Sequence, residues 1–443
     1  MLSRLATLIQ SAADALFLPW VVGILLGAGL FLTIRTGAVQ LRRFGEAIRV
    51  AFVRRSTSDA GALTPFQAFM TALAASIGTG NIAGVATAIV SGGPGALFWI
   101  WVYGFVATAI KFAEAVLGVT FREARGDTVR SGPMYYLRDG LRSPLLAWTF
   151  AFVAAVAALT TTPFTQPNSM ALVLDTVAGI PRIVSGLVIA VLTWLVIIGG
   201  IKSIGRAAER LSPVKVGLYL IGGLIVIVAN ANRIPAVLEM VVREAFTMQS
   251  ALGFGMFTAM RYGIARGIYA NEAGYGTAAV AYGTAKSDRP VQQGLNAVME
   301  VVIVSFVTST ISAMTILLTG MWQSGLTSTA AVAAGFESVM PAVGGWIVAF
   351  CAFLFGYTTL IGWAYYGEQF FEYILGRKVT VPYRWIYCLL IPFGAVSRVD
   401  VVWAWGDLMN ALQVFPNLIG VVGLSGLVAK VAWSSRNPQA AGR

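Results

Sequence analysis

Runs of about 18 or more apolar residues, separated by short charged stretches, recur from one end of this 443-residue chain to the other. A bilayer core asks for about 20 apolar residues per helix, so the pattern predicts an all-α polytopic membrane protein. Composition agrees: 57% of the residues are hydrophobic and 11% are charged, against about 25% charged in soluble domains. The runs fall near 15–34, 64–91, 95–120, 144–176, 181–200, 213–232, 253–283, 291–321, 343–374, 384–411 and 415–433, about eleven transmembrane helices. The first, followed by "RTGAVQLRRF" with no small-residue cleavage pattern, reads as a retained helix rather than a signal peptide. Residues 39–55 place Arg between apolar residues at helical spacing, as an interfacial amphipathic helix does. The tail 434–443 reads as disordered.

The formal charge of +12 sits mostly in the loops, where Lys and Arg set topology. One side carries Arg35, Arg42, Arg43, Arg49, Arg54 and Arg55, the stretch from Arg122 to Arg142, the stretch from Lys202 to Lys215, Lys286, Arg289, Arg377, Lys378, Arg384 and Lys430. The other carries Arg4, Arg182, Arg233 and Arg243. The rich side is expected to be cytoplasmic, with the N-terminus outside and the C-terminus inside a prokaryotic plasma membrane. Cys351 and Cys388 both lie in apolar runs, which argues against a disulfide framework. The absence of histidine removes His-ligated metals and His acid–base catalysis. No nucleophile constellation points to an enzyme, no P-loop to ATP-driven transport, and no filter-like loop to a channel.

Two spans are interrupted near their middle, one by "SIGTGNIAG" and the other within "ARGIYANEAGYGTAAVA", residues 265–281. They lie five spans apart and so enter from opposite sides. Gly-interrupted segments at corresponding positions of two halves point to an inverted-repeat transporter with its site at the breaks. Non-helical backbone at membrane depth is tolerable only where it lines a cavity enclosed by protein.

"GTGNIAGVATAIVSGGPGALFWIWV" (78–102), "GPMYYL" (132–137), the 265–281 motif, "AKSDRPVQQG" (285–294) and "TTLIGWAYYGEQFFEYILG" (358–376) occur in this order. Together they resemble the alanine or glycine:cation symporter family over nearly the whole chain. The resemblance implies a leucine-transporter-like fold: one extra N-terminal helix with the interfacial helix (1–63), a first five-helix repeat (64–232) and a second (253–433). It implies uptake of alanine or glycine coupled to sodium. Proton coupling, carried by Glu272 or Glu300, is the alternative, and an uncoupled permease a more distant one.

A zwitterionic substrate needs a place for its carboxylate, and half-helix N-termini supply free N–H groups and a positive dipole end. Thr79 and Gly80 are the candidates, with Asn81 either beside them or capping the break. Carbonyls from Ile268 through Ala270 to Asn271 are expected to meet the ammonium, and Tyr275 and Gly276 to line the pocket or pack. Glu272, an intramembrane carboxylate, has either a substrate role or a pairing with Arg266 or Arg261. The resemblance carries Gln166 and Asn168 over as substrate contacts, although Pro163 and Pro167 depart from the family pattern around them. It also assigns sodium to Thr358 and Thr359 with the carbonyls of Ala74 and Ile77, and makes Trp363 a wall or gate. Finally, the family pattern implies an aspartate where this chain has Val304. Glu300, four residues earlier and on the same face, either substitutes for it in ion coupling or faces water at the helix end.

Overall fold

The computed structural model describes residues 2–52, 59–125, 128–248 and 255–434; the tail expected to be disordered therefore lies outside the described residues from 435 onward. Among the described residues, six helices are long and apolar enough to cross a bilayer: Ala96–Thr120, Pro144–Ala178, Gly200–Ala229, Pro290–Thr319, Gly344–Leu375 and Arg377–Val396. Two bent pairs qualify as single spans, Pro65–Ser76 with Thr79–Gly92 at 62° and Val401–Gly423 with Ser425–Trp433 at 57°. Shorter apolar helices, Val22–Arg35 and Arg182–Ile197, and the second broken span, Met256–Asn271 with Thr277–Gly283, complete the expected order.

The outer faces of the helices are apolar, and within the largely apolar interior sit buried polar and charged groups. Leu187, Val191 and Leu195 on one outer helix, and Ile221, Leu224 and Val228 on another, are exposed, whereas Gln166, Lys111, Glu114, Lys215, Glu272 and Glu300 are buried. That arrangement fits a chain whose solvent is lipid and whose polar groups must be satisfied within the protein.

Three expectations shift. The boundary between the last two spans lies at Ser397 and Arg398, both extended, and not between 411 and 415. A hydropathy window runs through "AVSRVDVVWAW", while residue 415, where the last span was expected to begin, sits inside the helix Val399–Gly423. The sixth span begins at Gly200 and runs to Ala229, not from 213, because its first half carries charges that lower its hydropathy. The loop after Thr120 holds a two-stranded antiparallel hairpin, Glu123–Arg125 with Thr128–Arg130. The amphipathic stretch forms two short helices, Val39–Arg42 and Phe44–Phe52, with Leu41, Phe44, Ile48 and Phe52 exposed; residues 53–55 of the expected helix lie outside the described residues.

Candidate functional site

Both breaks form where backbone must pass where a side chain cannot. At the first, the helix ends at Ser76, Gly78 runs extended, and Thr79–Asn81 make one 3-10 turn before Ala83–Gly92 begins. A Cβ on Gly78 would lie 2.7 Å from Thr359 Oγ1, so glycine permits the close approach. At the second, Glu272 itself adopts the left-handed conformation (φ 58°), followed by Gly274 (φ 98°) and Gly276 (φ 80°). A non-glycine residue held there is a mark of functional sites.

Each break is stitched by an asparagine. Asn81 Nδ2 donates to Ser76 O (3.0 Å), and its Oδ1 accepts from Thr308 Oγ1 (3.3 Å). Asn271 Oδ1 accepts from Ala273 N (3.0 Å), and its Nδ2 donates to Ser305 Oγ (3.1 Å). Ser305 and Thr308 both belong to a π-helical stretch, Val302–Thr308, inside the eighth span. Such bulges concentrate at functional sites, and this one ties the two breaks to a single helix. Asn81 is therefore a brace of the break, and neither it nor Asn271 lines the cavity.

Between the breaks lies a small cavity of about 20 Å³ lined by Ser76, Gly80, Gln166, Glu272, Trp363 and Asn410 among others, with Tyr269, Tyr275 and Thr359 also on its wall. Gln166 Oε1 accepts from both Thr79 N (3.0 Å) and Thr79 Oγ1 (2.9 Å), so the expected N–H of Thr79 is already engaged. Glu272 is held from behind, by Trp363 Nε1 on Oε1 (2.6 Å) and Thr277 Oγ1 on Oε2 (2.8 Å). It pairs with neither expected arginine. Arg266 forms a two-pronged bond with Asp407 (2.9 and 3.1 Å), and Arg261 pairs with Asp14.

The remaining expected contacts sit elsewhere. Asn168 Nδ2 donates to Gly394 O (3.1 Å) and Ser397 O (2.8 Å), tying the fourth span to the tenth, away from the cavity. Ile268 O accepts from Glu272 N (2.8 Å) and Asn271 O from Lys111 Nζ (2.5 Å). Those carbonyls are occupied. Ala270 is buried in the helix before the break, and Gly276 N donates to Glu114 Oε1 (3.1 Å). Glu300 neither faces water nor reaches the cavity wall: it is fully buried, paired with Lys111 Nζ (2.6 Å) and bonded by Tyr282 OH (2.8 Å).

The oxygens expected to hold sodium do converge, but on a side chain. Lys215 Nζ donates to Ile77 O (2.7 Å), Ala74 O (3.2 Å) and Thr358 Oγ1 (2.5 Å). Thr359 Oγ1 donates to Ala75 O (2.8 Å) and Ala74 O (3.2 Å). Sequence reasoning had counted Lys215 with the cytoplasmic loop charges. It also passed over Lys111 and Glu114, whose charges inside an apolar run were the available signal, and over Tyr269 and Asn410, for which there was none.

Among solved structures, MhsT in complex with L-phenylalanine matches with a TM-score of 0.56 at 12% identity, covering 86% of this chain and 100% of that one. A manganese transporter from Eremococcus coleocola matches with a TM-score of 0.55 at 13% identity over 87% of this chain and 93% of its own. At such identities the likeness concerns the fold alone, and it is the leucine-transporter-like inverted repeat that the family resemblance implied. By sequence, the sodium/alanine symporter AgcS of Methanococcus maripaludis is 38% identical over 432 residues, 95% of each chain. The profile of the sodium:alanine symporter family matches residues 2–442. The chain therefore belongs to the sodium:alanine symporter family, whose members are membrane transporters and not enzymes.

Proposed function

We propose that the protein is a secondary active symporter that carries small neutral amino acids, chiefly alanine and glycine, into the cell by alternating access driven by a cation gradient. The observation that carries this reading is the polar cavity between the breaks, on whose wall Glu272 is the one charged side chain among the described residues. The charges of a zwitterion match that arrangement, and the helices bounding the cavity must part to admit one. Its ammonium faces the Glu272 carboxylate, its carboxylate faces Gly80 and the Gln166 amide at the start of Ala83–Gly92, and a methyl group packs against Trp363 and Tyr275. With Trp363 and Thr277 fixing the Glu272 oxygens, the carboxylate is pre-oriented, which lowers the ordering cost of binding.

Sodium is the ion in the family's description and in the name of the Methanococcus relative. On the family's pattern it would use Ala74, Ile77, Thr358 and Thr359; here three of those oxygens already accept from Lys215. That observation favours the second reading of the coupling ion, a proton. For either ion, coupling requires that it bind one of the outward and inward forms better than the other. The Lys- and Arg-rich loops support a C-terminus on the cytoplasmic side of a prokaryotic plasma membrane. The test of the substrate is counterflow: liposomes preloaded with unlabelled alanine should concentrate labelled alanine, with glycine competing and phenylalanine not. Absence of alanine counterflow, or equal competition by phenylalanine, refutes the substrate assignment.

A further inference from the structure

The motif at 358–376 puts Thr359 and Trp363 on the wall of the central cavity, but "YYGEQFFE" within it carries polar residues that the cavity does not use. Tyr365, Glu368, Gln369 and Glu372 recur at i, i+3, i+4 and i+7 on Gly344–Leu375 and so share one face. At about 100° per residue, Tyr365 stands about 200° around the helix from Trp363, so this face is turned away from the cavity. There the four residues line a crevice of about 370 Å³, within the ~300–1,000 Å³ usual for small-molecule sites. Its other walls come from residues 199–202, from Arg377 and Arg384 on the tenth span, and from Val129 of the hairpin. Those segments lie on the side that the Lys- and Arg-rich loops turn toward the cytoplasm.

Two of these side chains are buried without a partner. Tyr365 is 4% exposed and Gln369 5%. Among the described residues neither the Tyr365 hydroxyl nor the Gln369 amide makes a hydrogen bond, although buried polar groups are as a rule paired. The charges divide into closed and open ones. Arg384 donates to both oxygens of Glu368 (2.7 and 3.0 Å), which closes that pair, and Lys202 has a partner of its own. Glu372 accepts from Arg130 on Oε1 (3.1 Å) and keeps Oε2 open. Arg377 is exposed and belongs to no ion pair among the described residues. One open carboxylate oxygen and one open guanidinium call for a ligand with a charge of each sign. The two neutral groups between them call for a hydrogen-bonding but uncharged substituent.

We propose that this crevice is a second amino-acid site, open to the cytoplasm, for a zwitterionic amino acid with an uncharged polar side chain. The ligand's ammonium meets Glu372 Oε2, its carboxylate meets Arg377, and its side-chain amide or hydroxyl pairs with Tyr365 and Gln369. A dicarboxylate or phosphate supplies no cation for Glu372, and an apolar amino acid leaves Tyr365 and Gln369 unpaired. Because the site backs the helix whose front carries Thr359 and Trp363, it is separate from the position between the breaks. An occupant joins the ninth span to the tenth and so lets the cytosolic amino-acid pool act on the helix that lines the central cavity. The inference does not depend on which ion or amino acid the central cavity carries.

The test is equilibrium binding of labelled L-glutamine to the purified full chain. The wild type should bind it saturably, with unlabelled asparagine competing and glutarate, which has no ammonium, not competing. Arg377→Gln should lower the affinity about tenfold or more, because it removes a bond to a charged group. Tyr365→Phe combined with Gln369→Leu removes two neutral bonds and should lower it by about tenfold. Arg377 is exposed, so its variant decides the matter even if the buried pair of changes prevents folding, and its thermal midpoint checks that it is folded. Absence of saturable binding by the wild type overturns the proposal. So does binding that Arg377→Gln leaves unchanged, which belongs to the central cavity, and so does competition by glutarate equal to that by asparagine. Alanine counterflow is read separately, so failure of the substrate assigned to the central cavity leaves this result standing.

Discussion

Gly80→Ala adds one methyl group at the point where the first break meets the second broken helix. An ideal Cβ at Gly80 would lie 2.6 Å from Tyr269 Cδ1 and 3.0 Å from Cε1, against an optimum of about 3.5–4.0 Å between carbon atoms. The ring has little freedom to retreat. Its hydroxyl donates to Thr165 Oγ1 (2.8 Å), and its face packs on Trp403 with centroids 5.0 Å apart. Extra methylenes in well-packed sites cost about 1–3 kcal/mol. If the strain falls on this closed arrangement, its population relative to open forms drops by about 5- to 150-fold, at 1.4 kcal/mol per factor of ten. Initial rates of alanine uptake should fall within that range. Tyr269→Leu, which removes the ring, should make a second-site Gly80→Ala nearly harmless in that background, so the cycle should show a coupling of about 1–3 kcal/mol. Wild-type uptake by Gly80→Ala, or an equal loss from it in the Tyr269→Leu background, refutes the argument that these two positions press on one another.

Other positions separate bracing from transport. Glu300→Gln leaves the buried Lys111 ammonium without its carboxylate and should lower stability by about 3–5 kcal/mol, read as an earlier thermal midpoint, while the ion dependence of uptake stays unchanged; a changed ion dependence would return Glu300 to the coupling machinery. Replacing both members, Lys111→Met with Glu300→Leu, should recover part of that loss, since a well-packed apolar pair is often tolerated where a broken ion pair is not. Asn168→Ala removes two interhelical bonds and should lower stability by about 1–3 kcal/mol without altering the apparent affinity for alanine, measured by competition in counterflow. Glu272→Gln keeps the shape of the carboxylate but not its charge, and should weaken alanine competition at least tenfold; unchanged affinity would move the substrate ammonium elsewhere.

Neighbouring residues on one helix met different fates, and the reason is angular. Each helical residue turns about 100°, so Gln166 and Asn168 point about 200° apart. The first reaches Thr79 at the break, and the second faces Gly394 and Ser397 on the tenth span. The polar string "TTTPFTQPNSMA" announced that something polar was inside the fourth span, but it could not say which face met the cavity. Thr358 and Thr359 divide in the same way, one toward Lys215 and one toward Ala75 and the cavity. The breaks were legible because glycine and asparagine in an apolar run have a local cause, whereas the partners of a buried side chain depend on helices far away in sequence.

Lys215 was misread for a related reason. The helix that carries it starts at Gly200, but Lys202, Arg206, Glu209 and Arg210 depress the hydropathy of its first half. A window therefore opens the span only at 213, and Lys215, two residues inside it, was counted with the loop charges that precede it. At about 1.5 Å per residue, fifteen residues place Lys215 roughly 22 Å along the helix from Gly200, a depth no loop residue reaches. Three of the four oxygens assigned to an external cation lie together, because they belong to the break and to the helix that faces it. What the grouping lacked was a cation contributed by a third helix, and a charge counted by sequence position conveys nothing about depth until the helix bearing it has been given its true length.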